Sequence, residues 1–146
     1  YNYDFTNAPL LDAWYFQEDV CLPENEGFLE LPIASARYSP LFFWRLYVLG
    51  RLFPGKHKPI GKGVPSGGGG SKWDFLTRPH TLPVNAGGYF ARRLPSILHQ
   101  RKKGHPHTVV IGHPKACTEY SLVRLESLLL DKEFTFCTLK EVANDV

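Results

Sequence analysis

Apolar and polar positions alternate around Glu30 in Phe28-Leu29-Glu30-Leu31-Pro32-Ile33, which predicts a short strand with proline near its end. Ser39-Pro40 then opens a helix, because serine suits the cap and proline the first helical position. The helix is expected from about Pro40 to Phe53, where Pro54-Gly55 stops it. Leu41, Phe42, Phe43, Trp44, Leu46, Tyr47, Val48, Leu49, Leu52 and Phe53 make it apolar almost all round, and only Arg45 and Arg51 are charged. Such a helix requires cover on several sides, either deep in the fold or against protein outside the chain. An interfacial membrane helix fits less well, because the polar face is narrow.

From Pro54 to Asn85 the chain is rich in Gly, Pro and Lys, with Ser66-Gly67-Gly68-Gly69-Gly70-Ser71 inside it, and the expectation is a flexible loop. The last third is more regular. Asn85 can cap a helix over Gly87 to Lys103, with Phe90, Leu94, Ile97 and Leu98 on one stripe. The β-branched run His107-Thr108-Val109-Val110-Ile111-Gly112 reads as a buried strand. Thr118 caps a further helix with Tyr120, Val123, Leu125, Leu128 and Leu129 facing inward. Phe134-Thr135-Phe136-Cys137 reads as another strand. Thr138-Leu139-Lys140-Glu141 has the capping-box pattern that starts a last helix. Strands alternating with helices argue for a parallel α/β sheet or barrel. Only about four strands are evident, whereas a closed (β/α) barrel takes about 250 residues. The pattern therefore points to half of a larger α/β domain, as do the start at Tyr1 and the absence of methionine.

Composition narrows the classes. With 43% hydrophobic and 21% charged residues the chain is not disordered. No apolar run approaches the roughly 18 residues of a membrane span. Seventeen Lys and Arg against 14 Asp and Glu leave a charge of +3, too small to argue for nucleic acid. Runs such as Arg92-Arg93 and Arg101-Lys102-Lys103 read as solvated helix ends. Cys21, Cys117 and Cys137 are widely spaced and odd in number; they read as reduced, buried thiols, which suits a cytoplasmic compartment.

Chemistry in α/β sheets collects at the C-terminal ends of strands. His113 follows Val109-Val110-Ile111-Gly112 directly, between Gly112 and Pro114, and an imidazole there suits proton transfer near neutral pH. Glu30 is the second candidate, with an outward, solvated carboxylate as the simpler account. His105-Pro106-His107 has the look of a metal pair but lacks a third ligand. The other histidines, His57, His80 and His99, form no motif.

Four segments resemble one family, the polysaccharide deacetylases (NodB-like, carbohydrate esterase 4). Tyr3-Asp4-Phe5-Thr6-Asn7-Ala8-Pro9 resembles its Tyr-Asp-Ser-Ser segment. Gly27-Phe28-Leu29-Glu30-Leu31-Pro32-Ile33 is similar to its Gly-x-x-Glu-Ile-Pro strand. Val110-Ile111-Gly112-His113-Pro114 is similar to its late strand ending in His-Pro. Phe134-Thr135-Phe136-Cys137-Thr138-Leu139-Lys140-Glu141-Val142 looks like its terminal Phe-x-Thr-Leu-x-Glu-Val. The order is the family's, and the segments reach from one end of the chain to the other.

The resemblance implies part of a deformed (β/α) barrel, residues 1–146 being the C-terminal half, with the loop at 54–85. It also implies metal-dependent removal of N-acetyl groups from a polysaccharide or glycan, with His113 as the late general acid. The family's early Asp-Asp pair and His-x-x-x-His are not in this sequence. The divalent metal, zinc or similar, would therefore be held by residues outside this chain, in a missing N-terminal half or a partner chain. The alternative expectation is a non-catalytic sugar-binding or assembly module that docks through the apolar helix at 40–53.

Overall fold

The computed structural model describes residues 7–61, 71–104 and 106–145. The alternation around Glu30 builds a hairpin: β1 (Trp14–Phe16) pairs antiparallel with β2 (Phe28–Glu30), Trp14 opposite Glu30 and Phe16 opposite Phe28. Gly27 enters β2 at φ +127, where a Cβ would lie 2.3 Å from the Phe16 carbonyl oxygen, so only glycine fits. Buried Trp14 pins the connecting loop by donating its indole N–H to the Val20 carbonyl at 2.8 Å.

A second hairpin-like pair carries the core. β3 (Ser35–Tyr38) runs antiparallel to β4 (His80–Pro83), with Tyr38 opposite His80. Between them lie α1 (Pro40–Leu52), α2 (Pro54–His57) and α3 (Lys72–Thr77). Pro40 opens α1 as its fixed φ allows, although the Ser39 side chain makes no capping bond. α1 turns Phe42 and Phe43 inward onto Tyr38, with ring centroids 4.9 and 6.4 Å from the tyrosine ring. Phe90 meets Tyr38 edge-on at 5.3 Å, and Phe75 of α3 meets Phe43 at 4.9 Å. Burial holds the Tyr38 hydroxyl above its ordinary pKa, with Arg93 pulling the other way, and the hydroxyl has no hydrogen-bond partner.

Where β3 and β4 diverge, a third segment enters. Ala34 N–H donates to the Val109 carbonyl at 2.9 Å, and Val84 N–H donates to the Ala34 carbonyl at 2.7 Å. Ile111 N–H donates to Val84 at 3.0 Å, and Ala86 N–H donates back to Ile111 at 2.9 Å. Val109 and Ile111 thus form parallel bridges, to Ile33 and Asn85 respectively.

The fold is therefore mixed α/β, but its two sheets are two-stranded and antiparallel, and the described residues form no closed barrel. Parallel pairing is confined to the two bridges. The strand expected over 107–112 shrinks to them because Gly112 and the 3₁₀ turn at Pro114–Ala116 take the chain out of extended pairing. Phe134 to Cys137 is not a strand. Asp131 turns the backbone there, and no described strand lies alongside, so β propensity has nothing to pair with. The helix expected over 87–103 divides into a 3₁₀ helix (Gly88–Arg93) and α4 (Leu94–Arg101). Pro95 lacks an N–H for a continuous ladder. Asn85 does not cap it, since Gly87 occupies that position.

The 54–85 loop holds α2, α3 and β4, because Phe75, Leu76 and Leu82 pack on the core; its glycine run lies outside the described residues. The three thiols form no disulfide, but none is fully buried and Cys137 is exposed.

The caps read at Thr118 and Thr138 are present. Thr118 and Ser121 exchange bonds at the start of α5 (Glu119–Leu129): Ser121 N–H to Thr118 Oγ1 at 3.1 Å, and Thr118 N–H to Ser121 Oγ at 2.8 Å. Leu128 is buried, but Val123 and Leu129 of α5 face solvent rather than the interior. α6 (Leu139–Asp145) begins with Thr138 N–H and Oγ1–H both donating to Glu141 Oε2, at 2.6 and 2.8 Å.

Two outcomes are expected. Phe42→Ala should lower unfolding free energy by about 3–5 kcal/mol in a denaturant titration, since Phe42 touches four other rings of the core. The bonds from Thr138 hold the Glu141 carboxyl below its ordinary pKa. The cap is then complete above the unfolded carboxylate value and is lost as pH falls through the lowered folded value. An NMR titration of the Thr138 amide should show that acid-shifted midpoint, and Thr138→Ala, which keeps the amide donor and loses only the hydroxyl, should reduce the shift without abolishing it.

Candidate functional site

The two ends of the Val109–Ile111 segment open onto different clefts. At the C-terminal end His113 lines a cleft of about 310 Å³, together with residues of α1, α2 and the turn after β4. The Ile111–Asn85 bridge brings that turn to His113. His113 is extended (φ −109, ψ 116), and its carbonyl accepts from Ala116 N–H at 2.8 Å, closing the 3₁₀ turn that fixes the exit of the chain. The imidazole is half-buried, and no described residue hydrogen-bonds it.

The facing wall is the Asn85 to Gly88 turn. Asn85 Oδ1 accepts from Gly87 N–H at 2.6 Å, which folds the chain back on itself. At Gly87 a Cβ would lie 3.1 Å from Asn85 Oδ1 and 3.2 Å from the Ala116 Cβ, so the wall and the His113 turn pack closely across this glycine. Gly88 follows at φ +54.

The third side comes from α2 and the residues after it. His57 packs on Tyr120 and Tyr89, with ring centroids at 5.0 and 5.9 Å, and those two tyrosines stack at 5.8 Å. Ile60 N–H donates to the Cys117 carbonyl at 2.8 Å, tying this segment to the His113 loop. Lys115 also lines the cleft, and no carboxylate does.

The other sequence candidates lie elsewhere. Glu30 sits in β2 opposite Trp14 and does not line the His113 cleft. His107 lines a second cleft of about 270 Å³ with Asp12, Ser35 and Arg101, at the N-terminal end of the Val109–Ile111 segment. His105 lies outside the described residues. Among the described residues no group of three or more His, Cys, Asp or Glu could hold a metal ion. No described helix is long and apolar enough to cross a membrane.

Sequence reasoning placed His113 but not its companions. Asn85 read as a cap and His57 as loop, and only the Asn-x-Gly-Gly spacing of Asn85, Gly87 and Gly88 hinted at a tight wall. Comparison with protein-family models, with curated proteins and with solved structures finds no match.

The wall is open to test. Gly87→Ala should displace Asn85 or Ala116 by a few tenths of an ångström, read as NMR shift changes confined to this wall and the His113 turn.

Proposed function

We propose that the chain is the C-terminal half of a polysaccharide deacetylase-like domain, part of a deformed (β/α) barrel, whose activity is metal-dependent removal of N-acetyl groups from a polysaccharide or glycan. His113 is its general acid. The observation that carries this reading is the placement of a half-buried imidazole, without a described hydrogen-bond partner, at the C-terminal end of the Val109–Ile111 segment and inside a cleft.

Amide hydrolysis expels an amine, a poor leaving group until its nitrogen is protonated. An imidazole N–H that no described residue accepts can be given to that nitrogen. Tyr89 supplies an aromatic face on the cleft and Asn85 an amide, side chains suited to a sugar ring and its hydroxyls. The divalent ion, zinc or similar, finds no ligand set among the described residues. Its ligands would have to come from outside the described residues.

The exposed apolar residues on α1, Leu41, Trp44, Val48 and Leu52, favour the second reading, a non-catalytic sugar-binding or assembly module. One assay separates the two. The protein, joined to the residues encoded upstream of Tyr1, is given N-acetylglucosamine oligomers, with acetate release and bound metal both measured. His113→Ala should lower turnover by about 10² or more with metal content unchanged. Unchanged turnover removes the role of His113. Oligomer binding without acetate release in the parent protein selects the module.

A further inference from the structure

α1 has two apolar faces, and the core accounts for only one. Phe42, Phe43, Leu46 and Leu49 face Tyr38 and its neighbours. Leu41, Trp44, Val48 and Leu52 follow the spacing i, i+3, i+7, i+11 along the opposite side and are 57%, 48%, 47% and 65% exposed. Arg45 and Arg51, both exposed, flank that stripe on either side by the same helical spacing. Inside the helix there is no acid.

Along the sequence the charge is one-sided well beyond α1. Residues 31–73 contain seven Lys and Arg and not one Asp or Glu, so the rest of the chain carries −4 against the +3 of the whole. Lys56 of α2 and Lys72 of α3 are exposed. The acids that bound this run in sequence are Glu30 of β2 and Asp74 of α3, and Asp74 lies 3.2 Å from His80 and 3.9 Å from Arg78. Trp44 N–H donates to the Leu76 carbonyl of α3 at 3.2 Å, which holds α3 and its 70%-exposed Trp73 beside α1.

We propose that this face binds an anionic membrane surface, with α1 lying in the plane of the interface. A stripe of Leu and Val flanked by Trp and edged by Arg is what a lipid–water boundary receives: the apolar side chains enter the acyl region, the indole settles at headgroup depth, and arginine reaches back to phosphate. The narrow polar face counted against this from the sequence. That objection falls because the inward apolar residues are spent on the core, leaving an outer face of ordinary amphipathic composition. Charge complementarity selects the occupant. A second copy of the chain would set two acid-free cationic stripes against each other. A nucleic acid would need stacking faces where Leu41, Val48 and Leu52 stand. The proposal does not depend on the role of His113.

The test is co-sedimentation of the protein with vesicles of phosphatidylcholine alone and with about 30% phosphatidylserine, together with tryptophan fluorescence. Binding should be at least about tenfold tighter on the anionic vesicles, weaken as salt rises, and shift the tryptophan emission to the blue. Leu52→Glu and, independently, the pair Arg45→Glu and Arg51→Glu should each weaken it about tenfold or more. All three positions are exposed, and circular dichroism melting confirms the folded state. If Leu52→Glu fails to fold, the arginine pair and the lipid and salt series on the parent protein decide alone. Equal partition onto both vesicle types, or anionic binding indifferent to both variants, overturns the proposal. So does a stable homodimer in light scattering that Leu52→Glu dissolves, which would assign the stripe to a second copy.

Discussion

Four backbone hydrogen bonds among Ala34, Val84, Val109, Ile111 and Ala86 hold this fold in register. Each sheet has only two strands, and an isolated two-stranded ribbon is marginal in water. The junction joins β3 and β4 to a segment 25 residues beyond Val84, converting a local pair into a three-way seam. Val84 is fully buried there and Ala34 nearly so, which puts these bonds where water cannot compete for them. Long-range closure is what makes the cleft: the bond from Ala86 to Ile111 fixes the glycine turn against the segment that delivers His113.

Packing follows from that seam. Tyr38 leaves β3 into a cage formed by Phe42, Phe43 and Phe90, which come from one helix on one side and a 3₁₀ helix on the other. Tilted and edge-on ring contacts at 4.9 to 5.4 Å make this an oriented aromatic core, in which each ring limits the others. The Tyr38 hydroxyl without a partner is a desolvation cost the cage carries, and its raised pKa is the same cost expressed as a titration.

Local chemistry was legible in the sequence and pairing was not. Pro40, Thr118 and Thr138 announce helix starts because capping depends on neighbours within three residues, and all three start helices as read. The turn at His113 was legible for the same reason, since Gly112 and Pro114 after a β-branched run are a local signal. The direction of strand pairing depends on partners 42 to 48 residues apart, as between Tyr38 and His80 or Ser35 and Pro83, and alternation of elements was an unreliable guide to it. Phe134 to Cys137 shows the limit from the other side: strong β formers stay irregular when no described strand lies alongside. Asn85 and His57 were hidden because a site wall is assembled by tertiary contact, and neither residue carries a motif.

The nearly all-round apolarity of α1 resolves once its surface is divided. Phe42 and Phe43 serve the aromatic core. Leu46 and Gly50 wall the His113 cleft, and no neighbouring atom lies within 4 Å of where a Gly50 Cβ would stand. Leu41, Trp44, Val48 and Leu52 face outward between two arginines. A helix with those three duties has little room for polar residues, which is why its pattern reads as uniformly buried when taken along the chain. It also makes α1 a shared wall: the apolar stripe and the cleft lie on different sides of one rigid helix. Any surface that docks on the stripe therefore sets the orientation of the cleft relative to that surface. The same thirteen residues thus close the core, wall the cleft and carry the outward stripe.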